Sequence, residues 1–429
     1  MEKKQRYFHL PADKQVMKSL NLLKLIRATF SSKEVLDAAR LKNGAFTRNY
    51  KMPFRKVLHF MLDMRKTTLQ TRLNIFFSHE EKGESISQQA FSKLRANFDH
   101  SPFVTVFRYL VNEEYSGKHS LKTWNGYHLF SVDGSYLQLP RVDKLRNVFG
   151  VRDSGTCPNA GISILFDVLH GFALDPIITV ARMNERIQCK EHMDFLCGKL
   201  PNIAKKTILL LDRGYPSQKL ITEMHQKSLK FVVRCSSQFL KPINTAPMGD
   251  SVVVLSNGVS VRIIKFLLEN GEVETLATNL FDLQMDTIVE LYTLRWGIES
   301  MYFKLKRELC IEKFSGKTPN SVRQDFWVSM VLINAVAVFQ HEADCAVKER
   351  QNGKSLKHEY RARTSDLIIT LRDRFIFTSL YSHPMLTELE IRKIIKIMAR
   401  AVSSLRPGRS FQRIFNRNYN FRFNNLSHL

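Results

Sequence analysis

The spacing of apolar residues along the chain changes near residue 120. Before that point, apolar residues form short clusters, including residues 20–26 and 54–62, that are separated by charged positions. Such clusters predict helices with one buried face. After residue 125, runs of apolar and β-branched residues predict strands at 128–139, 162–169 and 173–180. The chain therefore joins a helical N-terminal region to a region that begins as a sheet.

Strands and helices then alternate through the rest of the central region. Helices are expected at 185–200, 217–226, 285–309 and 319–345, and strands at 207–212, 231–234, 251–255, 259–268 and 273–279. This order predicts an α/β core interrupted by a β-rich insertion. The predicted regions are a helical N-terminal region (1–120), a first core part (121–234), the insertion (235–281), a second core part (282–345) and a helical, basic C-terminal tail (346–429).

The charge of the chain restricts the class of its partners. The 429 residues include 65 Lys and Arg against 40 Asp and Glu, which gives a net charge of +25, and 44% of residues are hydrophobic. The hydrophobic content argues against a disordered chain, and the positive charge favours a polyanion, first of all nucleic acid, as partner. A membrane surface is the alternative, but no long basic amphipathic segment stands out.

Cysteines and apolar stretches bear on the compartment. The six cysteines form no CxxC pair, so neither a disulfide framework nor a zinc site is expected. The first residues lack the apolar run of a signal peptide. The apolar stretch at 326–339 is too short to span a bilayer and predicts a buried helix. We therefore expect a cytoplasmic protein with reduced thiols.

Two segments suit contact with nucleic acid. The last 39 residues, from Ile391, hold nine basic and no acidic residues, including Arg406, Arg409 and Arg413 near several aromatic rings. Arginines beside rings suit phosphate contact and base stacking, and a solvated basic tail is the alternative. Further upstream, Ser87 is a candidate N-cap of a helix that fits either a DNA-recognition helix or an ordinary surface helix.

Two acids stand out in apolar strands. Asp133 lies in the first predicted strand, and Asp212 ends the apolar run 207–211. An ionised carboxylate in a core strand is costly unless it is paired or metal-bound, and strand-end acids often point into ligand crevices. The alternative is that each acid caps a turn. Glu185 and Glu191, with His192 on the helix between these strands, are interpreted as solvated surface residues, and a metal or base role is the less favoured alternative.

The predicted helix 285–309 carries a polar stripe. At 100° per residue, Tyr292, Arg295, Glu299 and Lys306 fall within about 60° of one another. The opposite side is apolar and consists of Leu294, Ile298, Met301, Leu305 and Leu309. We expect the apolar side to pack on the core and the polar stripe to face a ligand. A solvated face with a Glu–Lys pair is the alternative, although Glu299 and Lys306 are too far apart for the usual i,i+4 pairing.

These motifs together resemble bacterial insertion-sequence transposases of the DDE type, in the insertion-sequence-four-like group. The spacing Tyr292-x2-Arg295-x3-Glu299-x6-Lys306 matches the Tyr-Arg-Glu-Lys signature of that group. Segments 132–135 and 211–217 resemble its two aspartate motifs. Segments 46–54, 89–93 and 406–411 resemble its N-terminal and C-terminal motifs, so the resemblance extends over nearly the whole chain.

The resemblance implies a ribonuclease-H-like catalytic core with a β-rich subdomain inserted between Asp212 and Glu299. It implies that Asp133, Asp212 and Glu299 bind two Mg²⁺ ions, for which Mn²⁺ can substitute, and that Tyr292, Arg295 and Lys306 contact DNA, as do Arg406, Arg409 and Arg413 of the tail. The implied activity is cut-and-paste transposition: cleavage at inverted-repeat ends and transfer of the 3′-hydroxyl to target DNA. The implied partners are double-stranded DNA and a second copy of the chain in a synaptic dimer, within the bacterial nucleoid.

Two other readings stay open. A nuclease or resolvase of the same fold would cut DNA without strand transfer, and a catalytically silent protein would only bind DNA. The three acids argue against the silent protein, and the polar stripe argues against the simple nuclease. Some relatives stack a flipped base on a tryptophan of the insertion. This chain has no tryptophan there, so either Phe239 or Phe266 takes that role or base flipping works differently.

Overall fold

The computed structural model describes residues 17–47, 51–78, 85–116, 121–152, 155–236, 239–380 and 383–405. Its N-terminal region is helical, as predicted, with helices Lys18–Ser31 (α1), Lys33–Ala39 (α2), Phe54–Met61 (α3), Leu69–Phe77 (α4), Gln88–Arg95 (α5) and Ser101–Tyr115 (α6). The predicted cap of α5 is confirmed, because the hydroxyl of Ser87 accepts a hydrogen bond from the Ala90 N–H at 3.2 Å.

One eight-stranded sheet forms the centre of the molecule. Its strands are His128–Gln138 (β1), Asn159–Asp167 (β2), Phe172–Val180 (β3), Thr207–Leu211 (β4), Lys230–Cys235 (β5), Gly249–Val254 (β6), Ser260–Leu267 (β7) and Val273–Thr278 (β8). Their spatial order is β3-β2-β1-β4-β5-β8-β7-β6. The strands β1, β4 and β5 run parallel. β2 lies antiparallel to β1 and forms the predicted hairpin with β3. This arrangement agrees with the expected ribonuclease-H-like core.

Helices cover the sheet on both faces. They are Asp143–Phe149 (α7), Glu185–Lys199 (α8), Pro201–Ala204 (α9), Gln218–Gln226 (α10), Lys241–Asn244 (α11), Met285–Thr293 (α12) and Trp296–Phe303 (α13). Every residue of β4 is buried. Ile208 and Leu210 pack with Ile288 of α12, whereas Leu209 joins the larger core on the other face. A parallel strand that is covered on both faces reads as an unbroken apolar run, which is why β4 was visible in the sequence.

The strands of the β-rich insertion continue the core sheet. β8 lies antiparallel to β5, with Val232 opposite Thr278, and β7 and β6 follow outward. The three predicted strands are therefore confirmed. Because β5 provides the edge on which they pair, the insertion lengthens the same sheet that carries the two aspartates.

The prediction of one continuous helix at 285–309 is wrong. α12 ends at Thr293, α13 begins at Trp296, and Lys304–Glu308 is a π-helical segment. At the break, Gly297 approaches Val168 so closely that a Cβ at Gly297 would lie 3.1 Å from the Val168 Cβ. Leu294, at the break, is 37% exposed, although the helical period of 100° per residue predicts it on the buried side. The other four apolar residues of that side are buried as predicted, namely Ile298, Met301, Leu305 and Leu309.

A long helix, Pro319–Gln351 (α14), crosses the C-terminal half. Among the described residues it is the one helix whose length and composition would allow it to span a membrane, but 83% of its apolar window is buried inside the protein. The burial agrees with the core helix predicted around 326–339. Beyond α14 lie the strand Tyr360–Ala362 (β9), the helices Thr364–Leu380 (α15) and Pro384–Met398 (α16), and the strand Val402–Ser404 (β10), which pairs with β9.

Candidate active site

The two predicted aspartates lie side by side on neighbouring parallel strands. β1 and β4 pair with Val132 opposite Leu211, so the next residue of each strand is Asp133 and Asp212. Neighbouring strands lie about 4.8 Å apart. Both carboxylates therefore lie in one cleft, at the end where the β1–β4 pairing stops. Each accepts a hydrogen bond from the backbone N–H of the following residue, at 2.9 Å in Asp133 and 2.7 Å in Asp212.

The polar stripe of the α12–α13 segment faces this edge of the sheet. The hydroxyl of Tyr302 donates to the Asp133 carbonyl at 2.7 Å, and the ammonium of Lys306 donates to the Tyr136 carbonyl at 2.8 Å. The hydroxyl of Tyr292 lies 3.4 Å from the Leu211 carbonyl, the last residue of β4. These contacts fasten the segment to both aspartate strands. The stripe is thus largely covered by the protein, and Tyr292 and Arg295 are buried.

Arg295 joins the third acid to the second. Its guanidinium donates to the Glu299 carboxylate at 2.7 Å and lies 4.0 Å from the Asp212 carboxylate. The residue is only 3% exposed. Asp212 also lies 3.9 Å from Arg234, which pairs with Glu274 at 2.9 Å. The structure therefore brings Glu299 and Asp212 together around one buried cation.

Asp133 lies in a different electrostatic environment. Burial is the main reason that its pKa rises to about 7; the neighbouring Asp212 and Glu185 carboxylates act in the same direction, and Arg295 acts against them. A carboxyl with such a pKa holds a proton more readily than an ordinary aspartate does. A divalent cation that replaced this proton would restore its charge.

Glu185, which the sequence suggested was a solvated acid, lies in the same cleft. An added Cβ at Gly134 would lie 2.8 Å from one Glu185 carboxylate oxygen, and an added Cβ at Gly214 would lie 3.0 Å from the other. Glu185 therefore sits between the segments that follow Asp133 and Asp212. Burial and Asp212 raise the pKa of its carboxyl. In the sequence, Glu185 is distinguished only by its position at the start of α8, which follows the β2–β3 hairpin.

The chemistry of these side chains fits divalent ions that prefer oxygen ligands. Carboxylates approach this cleft from β1, from the residue after β4, from α8 and from α13, and Gly134 and Gly214 leave room for the carboxylate of Glu185. In the described part of the chain, however, no three His, Cys, Asp or Glu side chains stand close enough to hold one ion. The guanidinium of Arg295 lies between two of the acids, so their carboxylates must rearrange to share an ion.

The other residues predicted to contact DNA, and the aromatic rings considered with them, lie in different environments. Arg406, Arg409 and Arg413 lie outside the described residues. Phe239 and Phe266 are partly buried. Trp296 and Phe303, which flank the polar stripe, are 51% and 59% exposed. These two rings are thus the aromatic side chains of the α13 segment that a nucleic acid can reach.

Known proteins show similarity to this chain in sequence and in structure. Residues 124–335 match the family described as the transposase DDE domain, a segment that contains Asp133, Asp212 and Glu299. Among solved structures, the chain is similar to a cryo-EM structure of the piggyBac transposase synaptic complex with hairpin DNA. The two share 12% identity and a TM-score of 0.51 over 92% of this chain and 87% of that chain, which shows a common fold. No curated protein matches the chain by sequence.

Proposed function

We propose that the protein is a DNA transposase, since residues 124–335 match the transposase DDE domain, and that Asp133, Asp212 and Glu299 are its catalytic metal ligands. The carboxylates would hold two Mg²⁺ ions, with Mn²⁺ as a substitute. Such ions activate the attacking oxygen and stabilise the departing one in phosphodiester chemistry. The observation that supports this proposal is the strand register, which makes Asp133 and Asp212 neighbours, together with the Arg295 bridge from Asp212 to Glu299.

The proposed reaction has two stages at one site. In the first, a water oxygen attacks a phosphorus at the end of the transposon, the bond to the 3′-oxygen breaks, and a free 3′-hydroxyl results. In the second, this hydroxyl attacks a phosphorus of target DNA, forms a new phosphodiester and releases a target 3′-oxygen. Both stages exchange one P–O bond for another, so no covalent link to the enzyme is required. The opposite strand can be cut through a hairpin that water reopens.

The basic side chains of the stripe have a proposed role towards DNA. Arg295 and Lys306 each donate to a protein oxygen, Glu299 and the Tyr136 carbonyl respectively. We infer that an incoming DNA phosphate takes over the donors of Arg295, which frees Glu299 and Asp212 for the ions. Tyr292 and Lys306 would contact phosphates beside the cut, and the basic tail with Arg406, Arg409 and Arg413 would contribute sequence-independent attraction.

The partners follow from the same proposal. Joining two transposon ends in one event requires two active sites, and a homodimer bound to both inverted repeats supplies them. The protein would act in the cytoplasm on the bacterial nucleoid. A nuclease or resolvase without strand transfer is the second candidate, since the same carboxylates would support hydrolysis alone.

The test uses the full chain, Mg²⁺ and a DNA that carries the inverted repeats flanking its gene. End cleavage followed by joining to a second DNA is the expected result. Cleavage without joining would favour the nuclease, and binding without cleavage would reject a catalytic role. The Asp212→Asn protein should bind the ends and lose at least about a thousandfold in cleavage rate, since loss of a group on which both stages depend has effects of this order.

A further inference from the structure

We propose that Glu185 is a fourth carboxylate of the metal site and faces the ions from the first turn of α8. This proposal rests on the proposed function, because it assumes that Asp133, Asp212 and Glu299 bind divalent cations. It goes further in assigning a ligand role to a residue outside those three acids.

The position of the Glu185 carboxylate carries the argument. One of its oxygens lies beside Gly134, which follows Asp133, and the other lies beside Gly214, two residues after Asp212. The carboxylate therefore spans the gap between the two aspartate strands. An added Cβ would lie 2.8 Å from the oxygen at Gly134, where the Met183 methyl group is nearer at 2.6 Å, and 3.0 Å from the oxygen at Gly214, so a side chain at either position would push the Glu185 carboxylate away. Glycine at both positions thus allows Glu185 to reach the cleft.

A buried polar network fixes the helix that carries Glu185. His192, in the middle of α8, contacts the Ser163 hydroxyl of β2 at 3.0 Å and the Asp175 carboxylate of β3 at 2.7 Å. Asp175 also pairs with Arg108 of α6 at 2.7 Å. Ser163, His192 and Asp175 are buried, and Arg108 closes the network on its partly exposed side. The network holds α8 against the sheet and thereby fixes the position of its first turn relative to Asp133 and Asp212.

The charges around Glu185 point to a cation as its partner. In the part of the chain that the structure describes, no Lys, Arg or His nitrogen lies within 4.0 Å of the Glu185 or Asp133 carboxylates, whereas Asp212 and Glu299 share Arg295. Two partly buried acids beside one another repel each other when ionised. Arg152 and Arg186 attract the Glu185 carboxylate, and Arg295 attracts the Asp133 carboxylate, each from beyond that distance. A divalent ion between the two acids would remove their repulsion and supply a closer counter-charge.

The simpler explanation is that Glu185 only stabilises the N-terminus of α8. Acids in the first turn of a helix interact favourably with its exposed N–H groups. At this terminus, however, Asn184 already accepts hydrogen bonds from the Arg186 and Ile187 N–H groups, at 3.1 and 3.3 Å. The two explanations predict opposite changes when the charge of Glu185 is removed, so an experiment can separate them.

The experiment compares Glu185→Gln with Glu191→Gln, an exposed acid of the same helix, in the full-length protein after treatment with EDTA. Thermal unfolding is recorded without metal and with Mn²⁺, and Mn²⁺ binding is measured by calorimetry. We expect Glu185→Gln to unfold at the wild-type temperature or above without metal. We also expect it to bind Mn²⁺ roughly tenfold or more weakly, in the range found when groups that support metal ligands are changed. Glu191→Gln should match the wild type in both measurements.

Two results would overturn the inference. A Glu185→Gln protein that unfolds at a lower temperature without metal and binds Mn²⁺ like the wild type has lost a helix-stabilising charge and no ligand. The Asp133→Asn protein shows which proposal has failed. If it loses Mn²⁺ binding while Glu185→Gln retains it, only the role of Glu185 is rejected. If the wild type binds no Mn²⁺, both the metal site and the role of Glu185 are rejected.

Discussion

The four carboxylates of the cleft fall into two pairs that differ in how their charge is balanced. The paired acids, Asp212 and Glu299, share the guanidinium of Arg295 at 4.0 and 2.7 Å. The unpaired acids, Asp133 and Glu185, have no such cation among the described residues, and the pKa of both carboxyls is raised by burial. One side of the cleft is thus ready for an incoming cation, whereas the other side must first release the guanidinium of Arg295.

The largest effect is expected from removing the shared cation. Arg295→Met keeps an apolar stem in a site that is 3% exposed but leaves Glu299 without the guanidinium that it contacts. Breaking a buried ion pair from one side is strongly destabilising, and since the acids are about 30% exposed we expect a loss of ~2–3 kcal/mol in the free energy of unfolding in EDTA. Urea unfolding measures it, and Mn²⁺ should restore more stability to this variant than to the wild type.

Arg234 provides the matched control for that prediction. It lies 3.9 Å from the same Asp212 carboxylate, but its side chain is 30% exposed and its closer partner is Glu274. Arg234→Met should therefore cost less stability and leave the response to Mn²⁺ unchanged. If Mn²⁺ stabilises both variants by the same amount, the position of Arg295 between Asp212 and Glu299 does not affect metal binding.

The second effect distinguishes the two kinds of acid directly. Asp133→Asn removes an unpaired charge and should raise the free energy of unfolding in EDTA by about 1 kcal/mol, after discounting for solvent that reaches the cleft. Asp212→Asn removes a partner of Arg295 and Arg234 and should lower it by about 1–2 kcal/mol. Urea unfolding of the two variants side by side is the measurement. A loss of the same size in both would contradict the division into paired and unpaired acids.

The sequence alone predicts three of these four acids and the strand before one of them. Asp133 and Asp212 stood out because an acid is costly in an apolar strand, and the unbroken apolar run of β4 revealed a strand covered on both faces. Glu299 stood out because the helical period placed it on one stripe with Tyr292 and Arg295. In each case a local pattern in the chain carried the information, and no long-range contact was needed to see it.

The remainder depends on contacts that a local pattern does not contain. A helical wheel gives the angle between side chains, but it does not show that the Arg295 stripe turns towards the sheet, nor that the helix is interrupted beside Gly297, which approaches Val168. Glu185 looks like any acid in a first helical turn. Its role as a neighbour of Asp133 depends on Gly134 and Gly214, which are distant from it in sequence. The pairing of β8 with β5 is likewise set by a strand edge far away along the chain.

The smallest effect concerns the pH dependence that the raised pKa of Asp133 produces. The folded-state pKa of Asp133 is about 7, above its ordinary value, so the folded protein binds a proton that the unfolded chain releases between about pH 4 and 7. Across that window the contribution of Asp133 to the free energy of unfolding in EDTA should fall as the pH rises. Buried histidines with a lowered pKa, above all His59, act in the opposite direction, so the contribution of Asp133 is measured as the difference between the wild type and Asp133→Asn. A metal ion competes with this proton, so the affinity for Mn²⁺ should rise up to about tenfold per pH unit below 7 and level off above it.

Asp175 is the internal reference for this pH dependence. Although burial raises its pKa, hydrogen bonds from His192 and Arg108 lower it overall, so the stability that it contributes is present above its ordinary pKa and is lost only as the pH falls below about 4. In unfolding in EDTA from pH 3 to 8, the contributions of Asp133 and Asp175 should therefore have opposite signs and lie in separate pH ranges. Asp133→Asn should make the slope between pH 4 and 7 more positive than in the wild type and leave the slope below pH 4 unchanged. If the slope between pH 4 and 7 is the same in both proteins, the proton belongs to another group, and Asp133 does not set the pH dependence of metal binding.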